Sequence, residues 1–409
     1  MEVSMKKKLF VVLTVLLCLV LFQTSAMAKE NAAAYLEEYY GITFAGDNVS
    51  VEDFNAALTV LGADPLDVET LTLADAAVGA VQLADMEELA LAYAGKADAI
   101  LADEEVRVDE KYAPYVAIAL EQDLVDDDDN FRGPLSARSA AKLLYRAAEI
   151  SGKGRNYIGR VSDDDILARL RSTINGIAIF DNEVLGNAGI EILTNGATTG
   201  YSMKYAGYDA RFLEENTLRY GHDSAAHVMQ LIGLLKAQNL DAYVQVEPKV
   251  SVYEYMLDWG EPSDPTPTYE VREIDDRYYA FAIEFDVALE FDSAAEKESF
   301  HDLIETYAKK YDDIVDADGN PTKPLLVSSW WQPLYYSITG MKNAEFKPLV
   351  DNVIAYEDSE YSIHSFSVPE NSEAVAEAAQ SIDDELVVTP RTIIVNPAFY
   401  RYITGEDHQ

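Results

Sequence analysis

The sequence predicts an α+β chain of more than one domain: an N-terminal all-helical domain followed by a mixed α/β domain with a largely antiparallel sheet. Three observations lead there. Up to about residue 152, apolar residues recur at helical spacing between short acidic or Pro/Gly turns, and hydroxyl residues stand at the helix starts. Beyond that point, aromatic and β-branched runs alternate with helix-like ones. About 380 residues remain after an N-terminal leader, more than one core normally serves.

The leader comes first. Lys6, Lys7 and Lys8 precede an apolar run from Leu9 to Phe22 that Thr14 alone interrupts, and Ala26-Met27-Ala28 supplies small residues around a cleavage point, so residues 1–28 read as a secretory signal peptide. The apolar run is shorter than the roughly 20 residues a membrane-spanning helix needs, and no later run approaches that length, which argues against a transmembrane anchor. Cys18 is the one cysteine and follows Leu17, whereas bacterial lipid attachment wants a small residue there. A chain cleaved after Ala28 therefore has no cysteine for disulfides, thiolate zinc sites or a thiol nucleophile. It also loses three lysines against Glu2, so the formal charge of -41 becomes about -43. Nucleic acid is excluded as a partner by that charge, and cations are the natural counter-ions. A hydrophobic fraction of 49% fits a folded protein with a strongly solvated surface.

The first domain, residues 29–152, repeats one grammar. Ser50-Val-Glu-Asp53 leads into Phe54–Leu61, Thr72-Leu-Ala-Asp75 into Ala76–Ala84, and Ser136-Ala-Arg-Ser139 into Ala140–Ala148. Each places a hydroxyl at a helix N-cap, and the first two add an acid three residues on, a capping box. Aromatic helices precede the first and third boxes, at Tyr35–Ile42 and Tyr112–Leu124. Leu58, Leu61, Val78, Val81, Leu143 and Leu144 are the packing positions. The four aspartates Asp126–Asp129 read as a solvated turn, and calcium is the cation such an oxygen-rich loop suits.

Tyr112–Val125, the acidic turn and Phe131–Ile150 together resemble an S-layer homology repeat. In that family a helix ends in a short turn with an aromatic residue, and a Thr-Arg-Ala-Glu-like box opens a second helix rich in Ala and Leu. The resemblance implies a secreted bacterial protein held on the cell wall or S-layer by secondary wall polysaccharide. The binding residues it implies are Ser136, Arg138, Asp53 and Asp75. Val51 and Leu73 stand where the family box carries arginine, and Arg138 comes one position later than that arginine, a rotation of about 100° around the helix. The partners that follow are wall polysaccharide and, on a crowded cell surface, further copies of the chain.

The second domain, residues 153–409, opens on Gly152–Asp165, where glycines favour turns and Ser162-x-x-Asp165 starts a helix running to about Ile174. Gly152-Lys-Gly154 has too few glycines and no preceding strand for a phosphate loop. Ile190–Tyr205 reads as a hairpin. A helix from about Ser224 to Gln238, capped by Asp223, buries Val228, Leu231, Ile232 and Leu235. Asp241–Glu247 and Tyr278–Phe291 read as strands around a Pro-rich loop at 261–268, and Ala294–Tyr311 as an amphipathic helix. Leu325–Ile338, Val350–Val368 and Leu386–Ile403 read as strand-containing segments around a short helix at Ser372–Ile382.

Gly221–His227 is the most site-like cluster in this domain. His222 and His227 are five apart, poor geometry for sharing a metal, whereas Asp223 and His227, four apart, share a helix face. The helix and following strand faintly resemble the core of transglutaminase-like and papain-like folds, in which a cysteine opens the helix. Asp223 or Ser224 stands there instead, and no histidine occurs in Tyr278–Phe285, so that resemblance implies a relative without catalytic residues. Asp316, Asp318 and Asn320 look like a calcium turn without the remaining ligands of a full loop. Trp330-Trp331 and Tyr335-Tyr336 offer aromatic faces of the kind that stack on sugars. The functional expectation is a non-catalytic cell-surface protein, and the alternative is an extracellular hydrolase with its site at Asp223 and His227.

Overall fold

The computed structural model describes residues 32–93, 95–307, 314–315, 321–322, 334–342 and 345–406. The chain divides into two compact units, the first ending at Arg155 and the second running from Asn156.

The first unit carries helices α1 (32–40), α2 (Val51–Val60), α3 (Leu73–Leu83), α4 (Glu87–Ala92), α5 (Ala97–Asp103), α6 (Ala113–Glu121) and α7 (Ala137–Ile150). All three boxes cap helices, and of the two expected capping boxes the reciprocal pair forms at Thr72 but not at Ser50. Ser50 Oγ accepts from the Asp53 N–H, Thr72 and Asp75 form the reciprocal capping box, and Ser136 Oγ accepts from the Ser139 N–H. Helix α3 is buried along almost its whole length and packs against α6 and α7, which its run of Ala and Gly permits by letting backbones approach closely. Gly79 shows how tight the fit is, because a Cβ there would lie 2.9 Å from Leu58 Cδ1. Leu58, Leu61, Val81, Leu143 and Leu144 are buried in this core, and Val78 is half-buried. The segments that enter the three boxes are stitched side by side by the β-bridges Asn48↔Ser136 and Thr72↔Pro134.

The second unit is built on strands β1 (Gly159–Arg160), β2 (Gly200–Tyr205), β3 (Thr217–His222), β4 (Ala242–Glu254), β5 (Tyr269–Ile274), β6 (Arg277–Phe291), β7 (Ile314–Val315), β8 (Pro321–Thr322), β9 (Tyr335–Ser337), β10 (Lys347–Ala355), β11 (Tyr361–Ser367) and β12 (Val387–Val395). Eight of them pair in the order β4-β2-β11-β10-β12-β9-β3-β6, and β6 pairs back onto β4 from Ala242↔Phe291 to Glu254↔Tyr279. The ring is therefore a closed antiparallel barrel, with β1 added beside β4 and β5 beside β6. Helices α8 (Ile166–Asn175), α9 (Glu183–Thr194), α10 (Ala225–Ala237), α11 (Ala294–Tyr307) and α12 (Ser372–Ile382) share one apolar core with the outward side chains of the barrel. Helix α13 (Pro397–Thr404) sets Phe399 against the inward residues Tyr336, Leu349, Ile393 and Val395.

This architecture corrects the expected fold class. An all-helical domain followed by a mixed α/β domain with a largely antiparallel sheet is replaced by an α+β chain whose antiparallel sheet closes on itself. Helices occur in both units, and the first unit contains β-bridges as well as helices. Closure depends on which distant strands pair, as in β12 with β9, and local patterning does not specify that.

Three local expectations also change. Ile190–Tyr205 is not a hairpin: Asn182 caps α9 by accepting from the Leu185 N–H, and the helix continues to Thr194 before β2 begins. Ser224, rather than Asp223, caps α10. Ser162 does not open α8, because its N–H and hydroxyl both bind the Asp241 carboxylate.

Candidate functional site

The first unit has an open groove of about 630 Å³ at the second box, lined by Thr72, Asp75, Asp109, Lys111, Tyr112 and Arg132 among others. Its floor is the cap of α3. Thr72 Oγ1 and Tyr112 Oη both donate to the Asp75 carboxylate, as does the Thr72 N–H at 2.9 Å. Burial pushes that carboxyl up, but these hydrogen bonds and the charge of Lys111 outweigh it and hold Asp75 below the ordinary range. Lys111 lies 4.4 Å from the centroid of the Tyr112 ring. Arg132 pairs with Asp109 at 3.3 Å, and both side chains are mostly exposed. The groove thus presents two reachable cations, an aromatic face and a fixed carboxylate, a mixture suited to a polyhydroxylated or anionic chain.

Of the residues the sequence singles out for binding, Asp75 alone lines this groove. Asp53 and Arg138 are exposed, Asp53 at the cap of α2 and Arg138 on the first turn of α7; Ser136 is engaged as the cap of α7. Lys111 and Arg132 were not anticipated. The available signal was the pair of cations bracketing the Tyr112–Phe131 stretch in a strongly acidic domain. In the acidic turn, Asp126, Asp128 and Asp129 bring oxygens within 4.8 Å of one another, but the Lys142 ammonium already pairs with Asp126, and Arg146 approaches it at 3.8 Å.

The inward face of the barrel holds a second polar centre. Period-two alternation on β4 points Glu247, Lys249 and Ser251 inward while Val246, Val250 and Val252 join the outer core; β6 does the same with Glu284 and Asp286 against Ile283, Phe285 and Val287. Asp286 is 1% exposed and receives Lys204 Nζ at 2.8 Å and Lys249 Nζ at 2.7 Å. Burial raises its pKa, and the two ammonium groups more than reverse that, keeping it ionised far below the usual carboxylate range. Arg219 bridges Glu247 at 3.2 Å and Glu214 at 2.9 Å. Glu284 accepts from Ser251 Oγ at 2.6 Å, and burial pushes its carboxyl above the ordinary range. Further round the same face, Ser362 Oγ meets His364 Nε2 at 3.1 Å, and His364 Nδ1 meets Asp351 Oδ2 at 2.8 Å. This last array was also missed in the sequence, where its one mark is Ser-Ile-His on alternating positions of a strand.

The Gly221–His227 cluster separates into two environments. His222 is 3% exposed, stacked on Tyr220, and neither ring nitrogen has a hydrogen-bond partner among the described residues. Burial, reinforced by His227, pushes its pKa down to about 3, so the ring is neutral at ordinary pH. His227 does meet Asp223, at 3.1 Å from Nδ1 to Oδ1. Ser224 Oγ is turned to the Ala226 N–H as the helix cap and so does not serve that pair. Asp316, Asp318, Asn320 and Trp330-Trp331 lie outside the described residues, and Tyr335 and Tyr336 are buried, which removes them as a sugar platform. No helix among the described residues is long and apolar enough to cross a membrane. No known family model matches the chain, and no characterised protein or solved structure is a match either, so the S-layer homology resemblance stands on the residues quoted above.

Proposed function

We propose that the chain is a secreted bacterial cell-surface protein that associates with the cell wall through its first unit, with wall polysaccharide lying in the groove at the Thr72–Asp75 box. The observation that carries this reading is the coincidence of that groove with one of the three boxes whose resemblance to the S-layer homology box implies wall attachment. The helix-opening motif that would hold polysaccharide forms the floor of an open, partly cationic depression. The bridges that draw the segments of all three boxes together add support, because repeats that act jointly need their helix starts on one side. Lys111 and Arg132 take over the role that arginine has in the family box.

The test is co-sedimentation of the full secreted chain with Gram-positive sacculi, before and after removal of secondary polysaccharide. Binding that vanishes on stripping and falls at least tenfold in the Lys111→Ala, Arg132→Ala double variant, with Arg138→Ala as the control outside the groove, is the expected result. Equal sedimentation before and after stripping would remove polysaccharide as the partner. Binding insensitive to the double variant would move the site elsewhere.

A further inference from the structure

The array Ser362–His364–Asp351 has the order of a nucleophile, its base and the acid that orients the base. Ser362 and His364 stand two apart on β11 and so share a face. On β10, Val353 lies opposite His364, which puts Asp351 one pleat along on that same face. Both hydrogen bonds are short enough to act, at 3.1 Å and 2.8 Å. With a proton on Nδ1 held by Asp351, Nε2 is left as the acceptor for the Ser362 hydroxyl. Asp351 is 4% exposed, and its second oxygen has no hydrogen-bond partner among the described residues. Ser362 and His364 are only half-buried, so the two groups that must reach a substrate are the two that remain accessible.

We propose that Ser362, His364 and Asp351 form an acyl-transfer site on the inner face of the barrel, hydrolysing small carboxylic esters. The Ser362 oxygen bonds to the ester carbonyl carbon while its proton passes to His364 Nε2. The bond from that carbon to the alcohol oxygen then breaks, and the alcohol leaves with the proton. Water, deprotonated by His364, attacks the acyl carbon, releases the acid and restores the serine. The substrate is small because an eight-stranded barrel has room for its own side chains and at most one small ligand. Strand β11 is paired on both edges, so backbone N–H groups beside Ser362 are committed to the ladder and a side chain must meet the developing oxyanion. Lys204 stands opposite Ser362 in the register, on the same face, and supplies positive charge there. This chemistry departs from the non-catalytic expectation and is independent of wall binding.

The test treats the full chain with a fluorophosphonate, maps the adduct by peptide mass, and follows p-nitrophenyl acetate hydrolysis in parallel. One adduct on Ser362 is expected, absent in Ser362→Ala, with labelling slowed about 100-fold or more in His364→Gln. Asp351 acts through His364 and is a positioning residue, so Asp351→Asn is expected to lower kcat by a similar factor with KM little changed. Unchanged tryptophan fluorescence and thermal midpoint in Ser362→Ala establish that its barrel is intact. The absence of an adduct on the folded wild-type chain, an adduct on another residue, or esterase activity retained in Ser362→Ala would each overturn the proposal.

Discussion

The groove of the first unit and the interior of the barrel each hold an aspartate among cations, yet the two sites are built on opposite terms. Asp75 closes a helix cap, and the cations near it, Lys111 and Arg132, are exposed to water. Asp286 sits between Lys204 and Lys249 with 1% of its surface exposed, inside a ring of strands. Asp75 itself is buried and held by its cap, but water screens Lys111 and Arg132, so these two contribute little to stability and can turn to a partner. The second set has no water to fall back on, so every charge needs its partner. Exposed charge that is available to a partner and buried charge that must stay paired are therefore found in different units.

The largest effect is expected at Asp286. Replacing it with Ala leaves Lys204 and Lys249 facing each other without their shared counter-ion, and breaking a buried pair in this way costs about 3–5 kcal/mol. Denaturant unfolding followed by tryptophan fluorescence isolates this unit, because Trp259, Trp330 and Trp331 all lie beyond residue 155. The triple change Lys204→Met, Asp286→Leu, Lys249→Met removes charge and counter-charge together and should recover most of the loss. If Asp286→Ala alone proves neutral, the buried network is not what holds the barrel interior together.

Acid titration is expected to divide the two units next. All five histidines lie beyond residue 155 in the sequence. His222 is pushed down to about 3 in the folded state and takes a proton near 6.5 when unfolded, so its contribution is complete above about pH 6.5 and is lost as pH falls toward about 3. Asp75 is also depressed, but its unfolded value is near 3.9, so its contribution persists until pH falls below about 4. Glu284 works in the other direction, since falling pH relieves a carboxyl that burial has raised. Subtracting the profile of His222→Phe isolates the histidine. Fluorescence should report barrel destabilisation beginning near pH 6.5 in the wild type and markedly less in that variant; identical profiles would mean the ring is protonated in the folded chain.

How much of each unit can be read from the sequence follows the same division. The helix N-caps at Ser50, Thr72 and Ser136 are local, four-residue signals, and all three appear where they are written, the reciprocal capping box at Thr72 alone. The alternation Phe281, Ile283, Phe285, Val287, Leu289, Phe291 fixes β6 as a strand, but the polar residues between them could as well face solvent as a barrel interior. That choice is made by pairings such as β6 with β4 and β9 with β12, which join residues tens of positions apart and leave no local trace. The Ser362–His364–Asp351 array depends on the β10–β11 register as well, whereas Asp223 and His227 were legible because a helix turn brings them together. Lys111 and Arg132 were missed because they are 21 positions apart and come to line one groove only in the folded unit.

Packing gives a third, smaller contrast. The first unit relies on small residues, so it should suffer from added volume where the barrel suffers from lost charge. Gly79→Ala would force a Cβ to within 2.9 Å of Leu58 Cδ1 and 3.4 Å of the Phe54 ring, an overpacking that costs about 1–3 kcal/mol. Gly79 is helical, so the intrinsic preference for Ala recovers at most about 1 kcal/mol of that. Loss of helical circular dichroism at lower denaturant, with the tryptophan transition unmoved, is the expected signature. A stabilised variant would show that Leu58 has room to turn away and that α2 and α3 are less closely fitted than 2.9 Å implies.

The smallest effect on stability is expected where the effect on binding should be clear. Arg132 and Asp109 form a pair whose side chains are 64% and 71% exposed, so Arg132→Ala should change the unfolding free energy by no more than about 0.5 kcal/mol. The same change removes one of two groove cations and should weaken sedimentation with sacculi several-fold, the more so at low ionic strength, where exposed charges act over about 10 Å or more. Asp109→Ala is the informative partner. It frees Arg132 from its carboxylate without touching the groove floor, so it should strengthen binding of an anionic polysaccharide while leaving stability unchanged. If both single variants weaken binding equally, the pair acts as a unit and the groove recognises hydroxyl groups through the carboxylate as much as anions through the guanidinium.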